Sequence, residues 1–190
     1  YKRQISLGNI NALSNGTSAQ TLTLLAGTTG NVSLSVIGAT TAIGLLSISN
    51  ANVVNTNGNI TIQGNATAGG TINISQPITL LGATTFATTG TNVSYAAGSN
   101  ITLTTVNGTQ GLSINAGTSG IAQFGAIGGT TAVSGFSVQA ATISQTGPVQ
   151  SSGSVTYSAV TATNLTGNIT TQVANAPIAC LLYTSPSPRD

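Results

Sequence analysis

Few side chains in this sequence could do acid–base, nucleophilic or metal chemistry. Residues 4–188 contain no Lys, Arg, Asp, Glu or His, and the single cysteine is Cys180. A cysteine nucleophile needs a base or a nearby cation that lowers its thiol pKa, and the chain has no histidine for that role. General acid–base catalysis and metal binding need clustered carboxylate, imidazole or thiolate groups. We therefore expect no enzymatic activity, no catalytic residue, no metal site and no cofactor.

The four charges of the chain lie at its two ends. Lys2 and Arg3 stand at one end, Arg189 and Asp190 at the other, and the formal net charge is +2. Because nucleic-acid binding requires a basic patch that neutralises phosphates, we expect no nucleic-acid partner. No run of about 18 apolar residues occurs, so we predict no membrane-spanning helix. Hydrophobic residues make up 39% of the chain, which argues against disorder.

Ten Asn-x-Ser/Thr triplets match the acceptor pattern for N-glycosylation. They begin at Asn15, Asn31, Asn59, Asn65, Asn73, Asn92, Asn100, Asn107, Asn164 and Asn168. Many of them coincide with the beginning of a strand-like run such as Asn-Ile-Thr. Since the strand pattern generates these triplets without any glycan, we interpret the asparagines as structural.

Aromatic residues and threonine pairs could form a binding surface. The aromatic candidates are Tyr95, Phe124, Phe136 and Tyr157. They would be stacking platforms for sugars if exposed, but at strand positions such residues more often pack in the core. Thr-x-Thr pairs occur at Thr21-Leu22-Thr23 and Thr102-Leu103-Thr104, and rows of such pairs would suit an ice-binding or other flat binding face. Their spacing along the chain is irregular.

These residues belong to a chain whose hydrophobic pattern has period two over short runs. Aliphatic or aromatic residues alternate with Thr, Ser or Asn, as at 32–36, 60–62, 101–103 and 155–157. Asn-Gly pairs such as Asn57-Gly58 mark turns, because both residues tolerate positive φ. The pattern predicts an all-β chain with almost no helix.

An internal repeat determines the predicted architecture. The sequence Leu-Thr-Leu-Leu-Ala-Gly-Thr-Thr-Gly at 22–30 realigns with Leu-Ser-Ile-Asn-Ala-Gly-Thr-Ser-Gly at 112–120, an offset of 112 − 22 = 90 residues. At the same offset, Ile-Gly-Ala-Thr-Thr-Ala-Ile at 37–43 falls on Ile-Gly-Gly-Thr-Thr-Ala-Val at 127–133. Ninety residues exceed one solenoid turn, so we expect the repeat to span four or five turns. Its two copies lie near residues 5–90 and 95–179.

Two folds are compatible with a repeat of this length: a right-handed parallel β-helix, which is a solenoid, and tandem β-sandwich domains. Short runs, short gaps and the absence of Trp favour the solenoid. Equivalent positions of stacked turns lie about 4.8 Å apart. A charge repeated along such a stack would meet its own sign at a cost of roughly 0.9 kcal/mol per pair even in water. The uncharged composition avoids that repulsion.

The last eleven residues depart from this pattern. Segment 180–190 holds the only thiol, two of the five prolines and two of the four charges. It resembles the conceptual translation of a sequencing adaptor. We expect residues 1–179 to form a solenoid segment of a longer protein, and 180–190 to be a non-native or disordered tail.

Several of the repeated motifs resemble a known family. Phe-Gly-Ala-Ile-Gly-Gly-Thr-Thr-Ala-Val at 124–133, Phe-Ser-Val at 136–138, Gly-Ser-Val-Thr-Tyr at 153–157 and the copy Gly-Ala-Thr-Thr-Ala at 38–42 are similar to the β-strand repeats of filamentous haemagglutinin-like large exoproteins and adhesins of Gram-negative bacteria. The resemblance covers most of residues 5–175. It implies a right-handed parallel β-helix that is extracellular or displayed on the outer cell surface.

The function that this resemblance implies is a non-catalytic stalk segment of a secreted or surface-displayed adhesin. Other parts of the full-length chain would bind cell-surface or matrix carbohydrate or protein. Two alternatives stay open: a flat-surface module that binds carbohydrate or ice, and a surface fibre that self-associates through uncharged β-rich edges. A polysaccharide lyase or hydrolase is a further class, but such enzymes need carboxylates or basic residues in a groove.

Overall fold

The computed structural model describes residues 3–12, 20–63, 70–89 and 97–172, and the backbone of 180–184. In these ranges it contains sixteen strands: β1 Gln4–Leu7, β2 Thr21–Leu34, β3 Leu45–Thr56, β4 Ile60–Thr61, β5 Thr71–Ile74, β6 Ile78–Leu80, β7 Thr84–Ala87, β8 Ile101–Leu103, β9 Val106–Asn107, β10 Gly111–Asn115, β11 Ile121–Phe124, β12 Gly135–Gln145, β13 Val149–Ser151, β14 Val155–Leu165, β15 Ile169–Thr171 and β16 Cys180–Thr184. The described residues include no helix, so none there could cross a membrane, and the all-β prediction is confirmed.

All pairings between the described strands are parallel. The isolated bridges between single residues are parallel as well. A β-sandwich is built from antiparallel sheets. The prediction of a parallel β-helix is therefore confirmed, and the sandwich alternative is wrong.

The strands stack on three faces, which the chain visits in the same order in every turn. Each face is defined by the row of register partners along its centre. Face 1 carries Ile5, Val32, Val54, Ile78, Val106, Ile127, Val149 and Ile169. Face 2 carries Ile10, Ile37, Ile60, Phe86, Ile114, Val138 and Tyr157. Face 3 carries Leu22, Leu46, Ile72, Ile101, Ala122, Ile143 and Thr163.

The core is the interior enclosed by these three rows. Ile60, Ile78, Ile101 and Ile127 are all 0% exposed, and the β-branched shape that dominates the rows suits a pleated, tightly packed surface. Along face 3 the register partners mark six turns, which are 24, 26, 29, 21, 21 and 20 residues long. Each turn buries its aliphatic residues only because its neighbours supply the rest of the core.

The repeated sequence forms the same corner twice. Gly38 and Gly128 both have φ of 72°, a left-handed conformation that favours glycine. A Cβ at Gly38 would collide with the carbonyl oxygen of Thr61 in the next turn, and one at Gly128 with that of Gln150. Backbone conformation and close approach together require glycine, which explains why Ile-Gly recurs. The Ile-Gly corner thus has the same structure in both copies.

Ninety residues span fewer turns than the four or five that we expected. The successive register partners Leu22, Leu46, Ile72 and Ile101 mark three complete turns, which end at Ile101. Leu112, which is equivalent to Leu22, lies two faces further along, on face 2, where it pairs with Thr84 and Phe136. The repeat therefore covers three and two-thirds turns. The expectation was wrong because the first three turns, at 24 to 29 residues, are longer than the strand-like runs suggest.

The segment expected to be a tail is partly described. Residues 180–184 form β16, whose backbone pairs in parallel with β14. Residues 173–179 and 185–190 lie outside the described part of the chain, as does the expected boundary at residue 179. The non-native origin of 180–190 stays a prediction.

Candidate functional site

The one candidate nucleophile, Cys180, lies in β16, where only the backbone is described. Within the described ranges, no group of three His, Cys, Asp or Glu residues could hold a metal ion. The functional question therefore concerns hydroxyl, amide and aromatic side chains, and which of them the fold buries or presents outward.

Several triplet asparagines join one turn to the next. The donors are backbone N–H groups: Thr85 donates to Asn59 Oδ1 at 3.0 Å, Ile121 to Asn100 Oδ1 at 2.9 Å, and Thr130 to Asn107 Oδ1 at 2.9 Å. Asn31 Oδ1 accepts from Asn52 Nδ2 at 3.2 Å. These contacts support the structural interpretation of the triplets. Asn15, Asn65 and Asn92 lie outside the described residues.

Sequence reasoning missed Asn11, which belongs to no Asn-x-Ser/Thr triplet. Its Oδ1 accepts from the Thr40 N–H at 3.0 Å, as Asn107 does for Thr130 in the second copy. Asn11 follows the face 2 residue Ile10, and Asn107 follows the face 1 residue Val106. The signal available in the sequence was therefore an asparagine directly after an inward aliphatic residue, not the glycosylation triplet.

The aromatic candidates are core residues where the structure describes them. Phe124 and Tyr157 are 0% exposed and Phe136 is 2% exposed. Phe136 meets both other rings edge to face, with centroids 5.2 Å from Phe124 and 5.9 Å from Tyr157, and these two rings are nearly parallel at 6.3 Å. The alternative of sugar-stacking platforms is thus wrong for these three residues. Tyr95 lies outside the described residues.

A buried glutamine, also missed from the sequence, completes this cluster. Gln145 is 0% exposed and occupies a row of face 3 between Phe124 and Leu165. Its Oε1 accepts from the Tyr157 hydroxyl at 2.6 Å, and its Nε2 donates to the carbonyl oxygens of Gly147 and Gly167, both at 2.9 Å. Every polar atom of the amide is therefore engaged, as burial requires. The cluster is a structural link between consecutive turns.

The Thr-x-Thr pairs do not form a regular array. Thr23 begins an outward row on face 3 that continues through Ser47, Asn73, Thr102, Gln123, Ser144 and Asn164. Thr104 is half-buried, and its hydroxyl donates to the carbonyl oxygen of Gln76 at 3.0 Å. In the described part of face 3, threonine pairs therefore do not repeat from turn to turn, and the ice-binding alternative gains no support.

Face 2 carries a shallow open groove of about 390 Å³. An outward hydroxyl row, made of the register partners Thr85, Ser113, Ser137 and Thr156, runs along it. Small residues form the other side of the groove: Ala83, Gly111, Gly135 and Ser154. The Ser137 hydroxyl donates to Ser113 Oγ at 3.0 Å, so neighbouring turns are linked along the row.

This groove offers hydrogen-bond donors and acceptors but no ionisable group. It therefore presents only neutral hydrogen-bonding groups. No protein-family model, curated protein or solved structure matches the chain.

Proposed function

We propose that this chain is a non-catalytic stalk segment of a secreted or surface-displayed bacterial adhesin of the filamentous haemagglutinin-like kind. The observation that carries the proposal is the unbroken stack, in which the same three rows of mainly aliphatic side chains continue through six turns. Such a stack rises about 4.8 Å per turn and lengthens by adding turns. It acts as a spacer and needs no ligand.

The neutral exterior supports a structural role. On face 1, one outward row consists of Ser6, Ser33, Asn55, Thr79 and Asn107. These hydroxyl and amide side chains avoid the like-charge repulsion that repeated carboxylates or ammonium groups would cause along a stack. The proposed location, outside the cell or on its outer surface, depends on the sequence resemblance to exoprotein repeats.

Deleting one whole turn tests the stalk proposal. Removing residues 101–121 joins Asn100 to Ala122, so that Ala122 meets Ile72 and Phe124 meets Ile74 in the same alternation. The purified variant should stay folded and become about 4.8 Å shorter, which small-angle X-ray scattering can measure. In the full-length protein, surface display and adhesion should both persist.

A matched control removes residues 101–120 instead. Joining Asn100 to Ile121 shifts the alternation by one residue, which turns Phe124 outward and Gln123 inward or forces a bulge. This variant should be clearly less stable to urea. If the whole-turn variant is folded and displayed but no longer adheres, the segment carries a binding site and the stalk proposal fails.

A second function is favoured by the groove on face 2. Its hydroxyl row repeats at about 4.8 Å per turn, close to the length of one sugar ring in an extended glycan. Four successive turns therefore present hydroxyls in register with a linear polymer lying along the solenoid axis. The occupant proposed for this groove is a neutral polysaccharide, because no residue lining it is charged.

A blocking substitution tests the glycan proposal. Ser137→Arg should fill the groove and abolish retention on neutral polysaccharides such as dextran, mannan and cellulose. Ser144→Arg, which places the same side chain outward on face 3, should bind these polysaccharides as tightly as the unaltered chain. No binding by the unaltered chain, or equal loss in both variants, contradicts this second function.

A further inference from the structure

The two copies of the repeat occupy different sides of the solenoid. Ile37 of the first copy lies on face 2, whereas its equivalent Ile127 lies on face 1. Leu46 lies on face 3, whereas its equivalent Phe136 lies on face 2. These two parts of the second copy thus lie one face earlier than their equivalents, as an offset of three and two-thirds turns requires.

Despite this rotation, the two copies make the same local contacts with the turn before them. The Gly38 N–H donates to the Ile10 carbonyl at 2.7 Å, and the Gly128 N–H donates to the Val106 carbonyl at 2.6 Å. The Ile-Gly corner therefore packs on the preceding turn in the same way on face 2 and on face 1.

The residue that follows each corner also makes the same hydrogen bond in both copies. The Gly44 N–H donates to the Gln20 carbonyl at 2.7 Å, and the Ser134 N–H donates to the Gln110 carbonyl at 3.1 Å. Gln20 and Gln110 are themselves 90 residues apart. The hydrogen bonds of each corner are therefore made with residues of the same copy or of the turn just before it.

We propose that the 90-residue repeat is an exchangeable module: losing or gaining one copy keeps the stack continuous and rotates everything beyond it by one face. If residues 22–111 are removed, Thr21 joins Leu112 and the second copy takes the place of the first. Asn11 would then accept from the Thr130 N–H, as Asn107 does in the intact chain.

The core contacts across this junction are also replaced by similar ones. Ile5 would meet Ala122 where it now meets Val32, and Leu7 would meet Phe124 where it now meets Leu34. These exchanges keep an apolar residue at each inward position, so the rows of face 1 stay continuous. Because its evidence lies in the register of this chain, the inference does not depend on the stalk function.

In a stalk, the number of modules would set two properties together. Each copy adds length, and each copy also changes the side on which a distal site is presented. Three copies with the turn lengths of residues 22–111 would span eleven turns, after which the original facing returns. Copy number would then control both the reach and the orientation of whatever lies beyond the array.

Cross-linking tests the rotation directly. In the shortened chain lacking residues 22–111, Gln123 should become the register partner of Ser6, the place that Ser33 has in the intact chain. Neighbouring strands lie about 4.8 Å apart, within disulfide range. Ser6→Cys with Gln123→Cys, in a Cys180→Ser background, should therefore form a disulfide under mild oxidation in the shortened chain.

The intact chain supplies both controls. Ser6→Cys with Ser33→Cys should cross-link there, since these residues are register partners. Ser6→Cys with Gln123→Cys should not, because four turns separate Ser6 from Asn107 on face 1, or about 19 Å, and Gln123 lies still further along on face 3.

A duplication keeps the inference testable if the shortened chain does not fold. Inserting a second copy of residues 22–111 after Gly111 places the inserted Thr23 beside Thr85, where Ser113 lies in the intact chain. Thr85→Cys with Thr23→Cys in the inserted copy should then cross-link. Folded variants without these disulfides, or failure of both variants to fold, would overturn the exchangeable module.

Discussion

Replacing Ile78 with Lys is expected to abolish cooperative folding of the solenoid. Ile78 is 0% exposed and lies in the face 1 row between Val54 and Val106. Burying an ammonium group costs several kcal/mol even after relaxation, and residues 4–188 contain no carboxylate to pair with it. Total stabilities are about 5–15 kcal/mol, so this change removes most of the margin. Urea unfolding followed by far-ultraviolet circular dichroism measures the loss.

The matched control is Thr79→Lys, one residue further along the same strand. Thr79 points outward and forms part of a neutral row with Asn55 and Asn107. A single exposed lysine should change the free energy of unfolding by about 0.5 kcal/mol or less. Equal losses at positions 78 and 79 would contradict the assignment of inward and outward positions on face 1.

Gln145→Leu is expected to lower the free energy of unfolding by about 3 kcal/mol. Leucine fits the apolar row, but the carbonyl oxygens of Gly147 and Gly167 lose their donor, and the Tyr157 hydroxyl loses an acceptor. A buried polar group left unsatisfied costs about 1–3 kcal/mol. The effect is measured by urea unfolding of the single variant against the unaltered chain.

A double-mutant cycle with Tyr157→Phe separates the hydrogen bond from packing. Phenylalanine keeps the ring contacts with Phe124 and Phe136 but removes the hydroxyl. The double variant should therefore recover about 1 kcal/mol relative to the sum of the two single losses. Strict additivity would mean that the contact between Gln145 Oε1 and the Tyr157 hydroxyl contributes nothing to stability.

In the buried polar cluster, the alternation of inward and outward residues predicts that Gln145 is buried but does not predict its partners. Ile143 is buried, and Gln145 lies two residues further along the same strand, β12. Period-two alternation therefore places Gln145 on the inward side. Its partners could not be predicted, because the carbonyl of Gly167 and the Tyr157 hydroxyl come from the following turn.

The groove on face 2 shows the same limit. Alternation identifies Ser113 and Ser137 as outward residues of their strands, since each follows an inward aliphatic or aromatic residue. Their adjacency depends on the register between β10 and β12. No local pattern in the sequence encodes that register. The hydroxyl row therefore exists only in the stacked turns and could not be predicted.

By itself the sequence determined the strand alternation, the neutral exterior and the repeated corners, because these follow from backbone geometry and close contacts within a few residues. Only the tertiary structure decided the length of each turn and the face that each copy occupies. Those properties depend on which residues 19 to 29 positions apart become register partners between strands. The aliphatic positions are so alike that many pairings would satisfy the local pattern. The packing of the whole stack selects among them.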